Sequence, residues 1–131
     1  MSERPIRFAT QSGSAPSGEE WLARAKRLEA IGYATISMPD HMVGGAWSNL
    51  PALGAAAAVT TTVRLGNLVL DNDFRNPVVL ARELATLDVI SDGRVEIGLG
   101  AGWFDPTTSR SERNSTAAAY AWSGSARRSP L

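Results

Sequence analysis

The spacing of apolar residues changes period several times along the chain, and each change marks an element. Ile6 to Gln11 reads as a short strand. Ser17 with Glu20 three residues later is a capping box, after which Trp21, Ala25, Leu28 and Ile31 share one helical face until Gly32 closes the segment. Ala34 to Met38 is a second strand, and the loop from Pro39 to Trp47 leads into an alanine-rich helix over Pro51 to Val59. Arg64 opens a third strand with Leu65, Leu68, Val69 and Leu70. Asn76 followed by Pro77 starts a third helix, because proline has a preset φ and needs no N–H at the first helical position. From Arg94 to Leu99 branched apolar and polar residues alternate, and Gly98, Gly100 and Gly102 then remove side chains where the strand ends, which suits close approach of a ligand to the backbone.

Strands and helices therefore alternate, with short connections. Each crossover helix returns the chain to the same end, so the pattern predicts an α/β fold with a parallel sheet whose strand C-termini open on one rim. A flavodoxin-like open sheet shares this alternation and differs in strand order. The pattern stops near Phe104. From there to Leu131 the chain is Ser, Thr, Ala and Arg without an apolar period, and Leu131 is its only branched aliphatic residue. Up to Trp103 there are nine basic and eleven acidic residues, and beyond it four and two, so the net charge changes sign at the same boundary. Residues 1–103 are read as the folded unit and 104–131 as a tail, disordered or aberrant, because ordering backbone costs about 1–2 kcal/mol per residue and the tail has little apolar surface to offset it.

Bulk properties narrow the function classes. An apolar fraction of 44% over 131 residues is enough for a core. The absence of cysteine excludes disulfides and thiolate metal sites and fits a reducing compartment. The charged start MSERPIRF has no apolar signal region, and no stretch approaches a membrane span, so a cytoplasmic location with no membrane partner is expected. Zero formal net charge gives no reason to expect nucleic acid as a partner.

Candidate chemistry gathers at the strand ends. Asp40 and His41 follow the second strand directly, on the rim that also receives Gln11, Asp71, Asn72 and the Gly100 turn. His41 is the only histidine, and an imidazole suits proton transfer near neutral pH, although a loop histidine can equally serve only as a hydrogen-bonding group. Asp40 fits either a helix cap or a partner that orients His41. Trp47 fits a stacking wall or plain packing over the rim. Asp73 reads as a cap for the following helix, and Arg75 as a phosphate ligand or an ion pair that holds its loop. Gly98 to Gly102 looks like a phosphate cradle, but a lone glycine cluster is a weak signal.

The DH pair after strand two, the FRNP loop before helix three, the LDVISDGR turn and the GLGAGW end of strand four occur in an order and spacing that resemble the N-terminal half of the luciferase-like oxidoreductases. The run VLDNDFRNP with GAGW resembles the deazaflavin branch, which uses coenzyme F420, more than the flavin mononucleotide (FMN) branch. The resemblance covers Ile6 to about Trp103 and implies half of a (β/α)₈ TIM barrel, four parallel strands with their helices, with the cofactor across the strand C-termini. A complete barrel of this type takes about 250 residues, so the chain is expected to be truncated. On the same resemblance Asp40 and His41 lie beside the reactive part of the deazaflavin, with His41 moving the proton. Leu68 and Val69 are joined by a non-prolyl cis peptide that backs the ring. Gly100, Ala101 and Gly102 approach the ring through backbone, and Trp47 forms a ring wall. The implied reaction moves a hydride between coenzyme F420 and a small organic substrate; an FMN monooxygenase is the alternative. A third expectation is an inactive half-barrel that pairs with a second copy through its open sheet edges.

Overall fold

The computed structural model describes residues 6–42 and 45–100 of the chain. Four strands, β1 (Ala9–Gln11), β2 (Thr35–Met38), β3 (Arg64–Asp71) and β4 (Val95–Gly100), form one sheet in the order β1-β2-β3-β4, and every neighbouring pair is parallel. Sequential order is what a barrel requires, and it rules out the flavodoxin-like arrangement, whose sheet reverses direction at a switch point. Helices α1 (Gly18–Ala30), α2 (Asn49–Ala57) and α3 (Pro77–Ile90) make the crossovers. Residues 101–131, including Ala101, Gly102 and the 104–131 tail, lie outside the described residues.

The helix boundaries follow local chemistry. Ser17 Oγ accepts the Glu20 N–H at 3.1 Å, and Gly32 with φ +91° ends α1 after its N–H reaches the Glu29 carbonyl. Asn76 caps α3 through the Val78 N–H, with Pro77 in the first position. Helix α2 begins two residues before Pro51. A proline is tolerated there because the first four N–H groups of a helix have no intrahelical acceptor. Strand β1 is shorter than its apolar pattern: Ile6 and Phe8 stand 84% and 69% exposed at the sheet edge, and pairing begins where the Phe8 carbonyl accepts the Ala34 N–H.

All three helices cover one face of the sheet. Trp21, Ala25, Ile36, Met38, Leu53, Ala56, Val63, Leu65 and Leu87 make the main core, and Leu70, Leu80 and Leu84 a second cluster nearer the rim. The Trp21 indole N–H donates to the Ala52 carbonyl at 2.8 Å and so joins α1 to α2. The opposite face is polar low down: Thr35 Oγ1 donates to Glu96 Oε2 at 2.9 Å, and Glu96 Oε1 lies 2.6 Å from Arg64 Nε, an ion pair outside hydrogen-bond alignment.

Away from the rim, Glu29 closes the α2–β3 connection. Its Oε1 accepts the N–H groups of Thr61 (2.8 Å), Thr62 (2.6 Å) and Val63 (3.0 Å) and the Thr62 hydroxyl (3.0 Å). Partial burial pushes this carboxyl up, but the N–H groups of Thr62, Val63 and Thr61 and the Thr62 hydroxyl outweigh it and lower the pKa from 4.5 to about 2. A lowered folded-state pKa stabilises the fold fully above pH 4.5, and that contribution is lost as pH falls towards 2. Glu29→Gln is expected to lower stability at pH 7 by about 1–2 kcal/mol and to flatten the stability profile over that acid window. Urea unfolding at several pH values checks both.

Candidate functional site

The ends of β1, β2, β3 and β4 bring Gln11, Met38, Asp71 and Gly100 to one rim, with Met38 in register with Asn67 and Asp71 with Gly100. The shared rim on which the functional reading depends is therefore present. Its centre is an irregularity in β3. The peptide bond between Leu68 and Val69 is cis, and the ladder to β4 passes from Asn67↔Ile97 to Leu70↔Leu99, so two residues of β3 face one of β4. Leu68 is 61% and Val69 40% exposed. Together they form an apolar shelf on an otherwise polar face. The Gln11 amide donates to the Leu68 carbonyl at 2.7 Å and ties the shelf to β1.

The glycines of β4 have a reason that the sequence pattern did not show. A Cβ at Gly98 would lie 2.7 Å from the Asn67 carbonyl oxygen and 2.9 Å from Val69 Cγ1, and one at Gly100 would lie 2.5 Å from Val69 Cγ2. The space that side chains would take on this strand is filled by Val69. A flat ring fits such a place: it needs an exposed apolar surface of modest area and backbone without side chains beside it, and both are present.

Around the shelf stand the polar residues. The Asp40 side chain is 6% exposed and fully engaged: Oδ2 accepts the Asp71 N–H at 3.0 Å and a hydrogen bond from Arg75 Nη1, while Oδ1 accepts Arg75 Nη2 at 3.0 Å. Of the two readings of Arg75, its loop-holding ion pair is the one the structure contains. His41, the next residue, is exposed to solvent. Asp71 Oδ1 accepts the Asp73 N–H at 2.9 Å and caps the short 3₁₀ turn Asn72–Phe74, while the cap of α3 belongs to Asn76 and not to Asp73. Trp47 packs against the helix layer, with its ring centroid 6.2 Å from that of Trp21, and its backbone N–H donates to the Gly13 carbonyl.

One residue had no signal in the sequence. Asn49, the first residue of α2, is completely buried, and its Oδ1 accepts both the Leu50 N–H at 2.8 Å and Arg75 Nη2 at 3.2 Å. Nothing in the local pattern marks it, since Arg75 lies 26 positions away.

Residues 4–121 match the family described as luciferase-like monooxygenase. The chain belongs to that family. Its relatives include an uncharacterised protein of Mycobacterium tuberculosis, 42% identical over 122 residues that cover 75% of this chain and 41% of the relative. The F420-dependent glucose-6-phosphate dehydrogenase of Microbacterium testaceum is 37% identical over 106 residues, covering 75% of this chain and 32% of that enzyme. Among solved structures, the coenzyme F420-dependent tetrahydromethanopterin reductase of Methanopyrus kandleri superposes with a TM-score of 0.69 at 28% identity, over 76% of this chain and 28% of the other. The four parallel strands and their helices are thus part of a TIM-barrel-like luciferase-like fold. The chain spans about two fifths or less of the length of these curated relatives. No helix among the described residues is long and apolar enough to cross a membrane.

Proposed function

We propose that this luciferase-like oxidoreductase chain forms the ring-binding side of a site for coenzyme F420, used to move a hydride to or from a small organic substrate. The observation that carries the reading is the exposed Leu68–Val69 shelf, walled by the side-chain-free strand end at Gly98 and Gly100, on the same rim as His41. The 37% identity to an F420-dependent dehydrogenase is what speaks for the deazaflavin.

Leu68 and Val69 would bear the face of the ring, and the backbone at Gly100 its edge. When bound, the deazaflavin supplies two-electron hydride chemistry, and the protein positions it and manages protons. Both oxygens of Asp40 are taken up by the Arg75 guanidinium and the Asp71 N–H, so its side chain serves as a fixed partner within the rim. The exposed His41 is left to hold or release, at a ring nitrogen, the proton that accompanies the hydride. Asp40 orients the start of the loop that carries His41, and Trp47 braces the far end of that loop on Trp21.

Thermal melting combined with fluorescence titration tests the proposal. Coenzyme F420 at a hundred times its Kd is expected to stabilise the chain by about 2.7 kcal/mol, seen as an upward shift of a single transition. Tight FMN binding without F420 binding would move the assignment to a flavin monooxygenase. No shift with either, together with a dimer by light scattering, would favour a non-catalytic half-barrel that self-associates, a reading for which the exposed Ile97 (52%) and Leu99 (62%) on edge strand β4 speak.

A further inference from the structure

The loop from Pro39 to Ser48 carries both His41 and Trp47, and its two ends meet the same atom. Arg75 Nη2 donates to Asp40 Oδ1 at 3.0 Å, at the start of the loop, and to Asn49 Oδ1 at 3.2 Å, immediately past its end. Nη1 donates to the other Asp40 oxygen, which also accepts the Asp71 N–H from the end of β3. One guanidinium from the β3–α3 connection thereby fixes both ends of the β2–α2 loop to each other and to the third strand. Water competes little, since Arg75 and Asp40 side chains are 17% and 6% exposed and Asn49 is completely buried. His41 follows Asp40 directly, so its backbone lies one residue from the clamp.

We propose that Arg75 is the positioning residue for His41, spanning the loop ends so that the imidazole is held at a fixed place on the rim. This rests on the reading of the rim as a coenzyme site, but the clamp itself can be tested without coenzyme. The role needs a planar fork with several donors in fixed directions, which arginine has and lysine lacks. It differs from simple charge neutralisation, which either cation would provide. Positioning of this kind matters because small misplacements of a proton-transfer group cost rate out of proportion to their energy.

His41 is the only histidine of the chain, so its imidazole Cε1–H gives a single NMR signal that needs no assignment. Arg75→Met alone leaves the buried Asp40 without its cation, with only the Asp71 N–H on it, and is expected to lose stability. The variant for the test is Arg75→Met with Asp40→Asn, in which no charge is orphaned and the asparagine oxygen still accepts the Asp71 N–H. This double variant should remain folded, with its His41 signal moved towards the position of a free histidine and its coenzyme affinity lowered roughly tenfold. Arg75→Lys, which retains the charge, should stay folded with a smaller loss of stability than Arg75→Met and still move the His41 signal, and it decides the matter if the double variant does not fold. A folded variant whose His41 signal and coenzyme affinity both stay at wild-type values overturns the proposal. If the wild-type chain binds no deazaflavin, the functional reading fails by itself, and the His41 signal in the free protein still decides whether Arg75 positions it.

Discussion

Arg94→Met is expected to lower the free energy of unfolding by about 4 kcal/mol, from four newly unpaired buried carbonyls and one hydroxyl at about 1 kcal/mol or less each. Arg94 as a residue is only 8% exposed, and its guanidinium is engaged at all three nitrogens. Nε donates to the Ser91 carbonyl at 2.6 Å, Nη1 to Thr60 Oγ1 and the Val63 carbonyl at 2.9 Å each, and Nη2 to the Ala57 and Thr60 carbonyls at 3.0 Å each. These acceptors lie along the α2–β3 connection, from the end of α2 to the residue before β3, and at the turn after α3, so one side chain satisfies the backbone of two connections at the base of the sheet. It also brings a positive charge to the C-terminal end of α2, where the helix dipole is negative. Domains are stable by about 5–15 kcal/mol in total, so the change removes a large share. Arg94→Lys retains the charge but has one nitrogen in place of three, and should recover less than half of the loss. The midpoints of urea unfolding for the wild type, Arg94→Lys and Arg94→Met should therefore descend in that order, and equal midpoints for lysine and arginine would contradict the five-bond account.

Gly100→Ala and Gly98→Ala should each destabilise by about 1–3 kcal/mol, the usual cost of forcing a methyl into filled space, yet a second substitution separates them. At Gly100 the only close obstacle to a Cβ is Val69 Cγ2 at 2.5 Å, and the next neighbours stand at 3.6 Å or more. Val69→Ala removes that obstacle, so the double variant Val69→Ala with Gly100→Ala should regain most of the lost stability. At Gly98 the Asn67 carbonyl oxygen lies at 2.7 Å in addition to Val69 Cγ1 at 2.9 Å. Backbone cannot be trimmed, and Val69→Ala should rescue Gly98→Ala poorly. A double-mutant cycle by thermal or urea unfolding gives both coupling energies. Coupling at Gly100 that is no larger than at Gly98 would mean that the shelf is not packed on the strand as described. Because Val69 belongs to the shelf, the Gly100 pair should also weaken coenzyme binding even where stability returns, which links the β4 glycines to the site through Val69.

Much of the architecture was legible in the chain because it depends on short-range rules. The Ser17–Glu20 and Asn76–Pro77 starts, the Gly32 stop and the strand–helix alternation act within a few residues of one another. Alternation then forces parallel strands and a common rim, which placed Asp40, His41 and Gly100 together before any coordinates. Where boundaries moved, as at the start of α2 and in β1, the local signal was ambiguous: Pro51 is compatible with any position in the first turn, and an edge strand lacks a second partner to extend it.

Local pattern along the chain sets the order of elements, the direction of every strand and the identity of the polar residues that reach the rim. What those residues do there is set by packing between distant segments. That Asp40 is consumed by Arg75 and Asp71, that Asn49 shares the same guanidinium, that Gly98 and Gly100 make room for Val69, and that Arg94 reaches the α2–β3 connection are all contacts between groups 26 to 37 positions apart. Periodicity and capping carry no information across such separations. Hydrogen-bond partners at that range are selected by how the layers pack, once the crossovers have brought distant segments within 3 Å of each other.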